Sequence, residues 1–132
     1  MTPRGIRNHN PLNIRKGNNW QGESTPTDAE FEVFIDDAHG FRAAFRIIHN
    51  GFKAKPCRDT IRKIITRWAP PSENNTENYI SIVSQRAGIP ADERLAYQDA
   101  DRMCRIVRAM AYVETGHDYK PAVVFTGYQL EH

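Results

Sequence analysis

What most limits the fold of this chain is a change in the spacing of its apolar residues at Asp36. Before it, Leu12-Asn13-Ile14-Arg15-Lys16 and Phe31-Glu32-Val33-Phe34-Ile35 alternate in the manner of half-buried strands. After it the period rises to about 3.6, that of an amphipathic helix. Phe41, Ala44, Phe45, Ile48 and Phe52 fall on one stripe, with Asp36 or Asp37 to cap the helix and Pro56 to stop it. Asp59 or Thr60 opens a second helix whose Ile61, Ile64, Ile65 and Trp68 share a face, ended by Pro70-Pro71. Asn75 or Thr76 opens a third, with Tyr79, Ile82 and Val83 inward and Gly88 at its C-terminal cap. A short helical turn is expected over 91–98, and a last helix from Asp99 to Glu114, terminated by Gly116. The pattern predicts an α+β domain, mainly helical, with four to five helices and a small antiparallel β element near the N-terminus.

No internal repeat or linker-like tract divides the chain, so residues 1–129 are expected to form a single domain. Leu130, Glu131 and His132 match the start of a vector-encoded Leu-Glu-polyhistidine tail and are read as an expression-tag remnant. With 39% hydrophobic and 26% charged residues the composition is that of a soluble domain. No stretch approaches the roughly 18 apolar residues of a membrane span, and MTPRGIRNHNPLN has no signal-peptide core, so synthesis in the cytoplasm and no membrane insertion are expected. The net charge of +2 is too small and too evenly spread to argue for nucleic acid, although Arg4, Arg7, Arg15 and Lys16 cluster near the start. Cys57, Cys104, His39, His49 and His117 show no metal-ligand spacing, and neither a metal nor an organic cofactor is implied.

Three segments could carry chemistry. Residues 5–20, GIRNHNPLNIRKGNNW, crowd asparagine amides around Trp20, with Gln21 next. Paired amide donors and acceptors beside a flat apolar ring suit a sugar, whose hydroxyls need both while its C–H face packs on aromatics. Residues 68–79, WAPPSENNTENY, set Tyr79 beside a dense polar loop. Tyr112-Val113-Glu114-Thr115-Gly116 places a carboxylate at a helix C-terminus, where the helix dipole disfavours its charge. Burial against Met110, Tyr112 and Val113 would disfavour it further, leaving an acid that stays protonated to higher pH. That is what glycoside cleavage needs to protonate its leaving oxygen.

The strings GIRNHNPLNIRKGNNWQGE, FEVFIDDAHGFRAAFRIIH and ITRWAPPSENNTENYI resemble a family of phage and prophage virion structural proteins that begin with a GIRNNNPGNIR-type motif. The resemblance covers roughly residues 4–118, with His9 and Leu12 replacing the more usual Asn and Gly. A more distant resemblance is to the lysozyme-like peptidoglycan hydrolases, the glucosaminidases and lytic transglycosylases. Their catalytic Glu ends a helix in a VESG-like pattern, followed by a segment like NNLFGIK with a Trp, a strand of FRVY type, and an E-T-x-x-Y loop. Here VETG stands at 113–116, NPLNIRKGNNWQG at 10–22, FEVF at 31–34 and NNTENYI at 74–80. The order is that of a circularly permuted lysozyme-like domain.

The resemblance implies that Glu114 is the general acid. It implies that Tyr79, Thr76, Asn10, Asn13, Trp20 and Gln21 contact the glycan strand of peptidoglycan. A second carboxylate, if the chemistry uses one, would be Glu23 or Glu30. The alternative implied is a non-catalytic virion structural or wall-binding protein, with other virion proteins as partners. In either case, a chain without a signal peptide would travel with a virion or be delivered to the periplasm by other factors.

Overall fold

In a computed structural model, which describes residues 2–132, the chain after Asp36 is helical for local reasons visible residue by residue. Asp36 accepts the His39 backbone N–H and so starts α2, Asp37–Lys53, which buries Phe41, Ala44, Phe45 and Ile48. The Thr60 hydroxyl caps α3, Ile61–Trp68, and the Asn75 side chain caps α4, Thr76–Ala87. Asp99 caps α5, Ala100–Thr115. Gly88 and Gly116 end α4 and α5 at φ of 70° and 75°, the left-handed conformation that only glycine adopts freely. Two further helices complete the set among the described residues: the single turn α1, Arg4–Arg7, and α6, Pro121–Glu131. Residues 91–98 form turns rather than helix.

The fold is all-α, which corrects the expected class. Where two paired strands were expected there are only two isolated antiparallel bridges, Arg15 with Phe31 and Glu23 with Phe34. The α+β, circularly permuted lysozyme-like architecture is therefore not the one observed. Backbone bonds hold each bridge, Glu32 N–H to the Ile14 carbonyl and Lys16 N–H to the Glu30 carbonyl in one, Ser24 N–H to the Val33 carbonyl and Ile35 N–H to the Gly22 carbonyl in the other, and side chains take bonds that would extend a ladder beyond them. Asn10, fully buried, accepts the Ile14 N–H and donates to the carbonyls of Ile14 and Glu32. Asp28 accepts the backbone N–H groups of Glu30 and Phe31. His9 and Asn13 adopt φ of 50° and 52°, which breaks any extended run between them.

The helices enclose one core. α2 lies along α6, α5 packs on both α4 and α6, and α3 rests on α4. Phe41, Phe45, Ile61, Ile65, Met103, Ile106 and Met110 fill the centre, and Leu12 and Phe34 from the non-helical N-terminal segment join them. That segment is thereby laid against the C-terminal end of α5.

Candidate active site

Glu114 occupies the last turn of α5, partly buried, and its two carboxylate oxygens are claimed from different directions. The Tyr79 hydroxyl, from the first turn of α4, donates to Oε2 at 2.9 Å. The Asn13 amide donates to Oε1 at 2.8 Å, with a longer contact of 3.4 Å to the Glu114 carbonyl. Burial pushes the Glu114 carboxyl above its ordinary value, and the two donors pull against that by favouring the charged form. Tyr79 is held neutral, well above its usual range, by its own burial and by the neighbouring carboxylate.

Each partner is positioned by a local device. Asn13 reaches Glu114 because its backbone is left-handed, a conformation asparagine tolerates better than most residues. Beneath it Gly5 must lack a side chain: a Cβ there would stand 2.8 Å from the Asn10 carbonyl oxygen and 2.9 Å from both Asn13 Oδ1 and Thr115 Cγ2. α1 can therefore press directly against the Asn13 loop and the end of α5. Tyr79 is fixed through Thr76, whose hydroxyl donates to the Ala69 carbonyl at 2.5 Å and ties the start of α4 to the end of α3. The Arg86 guanidinium stacks on the Tyr112 ring, 3.7 Å from its centre, and joins α4 to α5.

Of the residues singled out in the sequence, Glu114, Tyr79 and Asn13 meet at one point. Asn10 and Thr76 lie near this point in the chain, but both are buried with their polar atoms engaged by backbone. Trp20 lies on a different cleft, between α2 and α3, and Gln21 is exposed. Glu30 is on the surface, paired with Arg15 at 3.2 Å and Arg4 at 3.5 Å. Glu23 stands beside Glu32, a buried carboxyl pushed up to about 7 by desolvation and by the second acid.

Sequence reasoning passed over Glu32, Gly5 and Arg86. Glu32 shares its parity with Phe34, so alternation alone could have put it on the buried side. For Gly5 and Arg86 no local signal exists, because what they touch is distant in the chain.

No family model matches the chain. It is 40% identical over 118 residues to Protein P5 of Pseudoalteromonas phage PM2, a match that covers 86% of this chain and 71% of that protein.

Proposed function

This chain belongs to the family of Protein P5 of Pseudoalteromonas phage PM2, and within that phage family we propose that it cleaves the glycan strand of peptidoglycan with Glu114 as general acid. The observation that carries the reading is the Glu114 carboxyl itself, raised by burial and gripped by Tyr79 and Asn13. In the protonated form it gives its proton to the glycosidic oxygen as the bond from that oxygen to the anomeric carbon breaks. The leaving sugar departs as an alcohol. Water, or a hydroxyl of the substrate, then attacks the anomeric carbon and returns a proton to the carboxylate. The Tyr79 and Asn13 donors stabilise Glu114 in the charged interval between these steps.

The test is muropeptide release from purified peptidoglycan, followed together with thermal stability. Glu114→Gln is expected to lower the rate by about 10²–10⁴-fold, the usual contribution of a positioned general acid, with the fold intact. Release by the folded Glu114→Gln protein at the unsubstituted rate would overturn the proposal.

A second reading has its own support. The same two hydrogen bonds bolt the N-terminal segment to α4 and α5, which suits a non-catalytic virion structural protein whose buried carboxylate serves rigidity. On that reading Glu114→Gln, Tyr79→Phe and Asn13→Ala lower stability and the unsubstituted protein releases no muropeptide.

A further inference from the structure

The chain's two tryptophans, Trp20 and Trp68, line one open cleft of about 250 Å³ between the N-terminal segment, α2 and α3. Asn18 and Asn50 stand at its exposed rim, and Arg58 and Arg67 line it as well. Neither arginine is paired with a carboxylate among the described residues, whereas most of the other arginines are. Arg58 is held there by the backbone: its N–H donates to the Gly51 carbonyl at 2.9 Å. Its guanidinium lies so close over Gly51 that a Cβ at that position would be 3.1 Å from Nε. The indole N–H of Trp20 is shielded from solvent and has no acceptor among the described residues.

We propose that this cleft binds an anionic sugar, a hexosamine unit bearing a carboxylate or a phosphate. The two indoles offer flat apolar faces to the C–H side of a pyranose ring. The two amides pair with its hydroxyls, and the guanidiniums take the anionic group in charge-assisted hydrogen bonds. The volume, just under the usual range of ligand sites, suits one sugar unit. The assignment is independent of the chemistry of Glu114, which does not line the cleft.

Because both tryptophans line the cleft, fluorescence excited selectively at tryptophan reports on it. The experiment titrates the Glu114→Gln protein, which cannot consume a ligand through that acid, with four probes. These are the N-acetylglucosaminyl–N-acetylmuramic acid disaccharide, N-acetylglucosamine 6-phosphate, neutral chitobiose and a short oligothymidylate. At least one of the two anionic sugars is expected to give a saturable change at about millimolar concentration or below, and the tighter of the two identifies the anion. Chitobiose is expected to bind roughly tenfold more weakly, and Arg58→Gln and Arg67→Gln each to bring the anionic sugar toward that level, the loss of one charge-assisted bond. Both arginine variants should keep the unsubstituted melting temperature. Equal binding of chitobiose, no saturable change with either anionic sugar, or tighter binding of oligothymidylate with a steep salt dependence would each overturn the assignment. If the anionic sugars bind the unsubstituted protein but not Glu114→Gln, the sugar sits at Glu114 and the assignment fails, while loss of muropeptide release alone leaves it standing.

Discussion

Asn10 and Asn13, three residues apart and chemically identical, do opposite work. Asn10 spends its amide on backbone and becomes part of the core; Asn13, turned left-handed, extends its amide to Glu114. The carboxylates divide in the same way. Asp28 accepts from Arg4, Asn8 and two backbone N–H groups, and the Arg4 guanidinium first among them holds it well below the usual carboxylate range. Its contribution to stability is present at neutral pH and is lost only in strong acid, as pH falls through that depressed value. Glu32 behaves in the reverse sense. The folded chain holds its proton up to about pH 7, whereas the ordinary value is 4.5, so the folded state binds more protons over that interval and stability falls as pH rises through it. Glu114, also raised, adds to the same slope. Urea titrations at a series of pH values should show this decline in the unsubstituted protein and a flatter limb in Glu32→Gln. A Glu32→Gln limb as steep as the unsubstituted one would show that Glu32 and Glu23 share no proton.

Among the elements, α6 shows how a helix can escape the sequence. Its buried residues, Val124, Gly127, Tyr128 and Glu131, stand at helical spacing, but a glycine and a glutamate interrupt the apolar stripe while Phe125 is 43% exposed. Pro121 at its first position is the one clear local signal. Glu131, set aside in the sequence as tail, accepts from Tyr97 at 3.0 Å and engages His49 at 2.8 Å inside the fold. Gly127 is what allows α6 to lie on α2: a Cβ there would stand 2.4 Å from Phe41 Cβ and 2.9 Å from the Ala38 carbonyl oxygen. Gly127→Ala is therefore expected to cost about 1–3 kcal/mol through overpacking, despite alanine's better helix propensity. A thermal melt followed by circular dichroism should move down by several degrees; an unchanged or higher midpoint would mean that the two helices part without cost. The expected strand at 31–35 failed for a related reason. Its apolar parity points Phe31, Val33 and Ile35 one way, yet Glu32 and Phe34 are the buried pair and Ile35 is 55% exposed.

Across the whole molecule, the segment before α2, residues 2–36, has almost no regular structure of its own and still belongs to the core. Leu12, Ile14 and Phe34 are buried with the helices, and the Asn13–Glu114 bond spans 101 residues. The segment should therefore melt with the bundle as one cooperative unit. Tryptophan fluorescence reads the Trp20–Trp68 cleft and far-ultraviolet circular dichroism reads the helices, so the two denaturation curves are expected to coincide. Separate midpoints would mean that residues 2–36 detach first. The chain belongs to a phage protein family, and among the described residues no helix is long and apolar enough to cross a membrane.

Much of this was legible in the residues. α2 to α5 begin and end where side-chain caps, prolines and glycines stand, because a cap and a 3.6-residue stripe act within a few residues of chain. Glu114 could likewise be singled out by its place at a helix terminus. Tertiary structure alone decided the rest: that the alternating segments would meet in a single bridge and not a sheet, that Asn13 and not Asn10 would meet the carboxylate, that Glu32 would be buried, and that Trp20 and Trp68 would line one cleft. Each depends on contacts between residues far apart in the chain, where local preferences worth tenths of a kilocalorie yield to packing and to the cost of leaving a buried polar group unpaired.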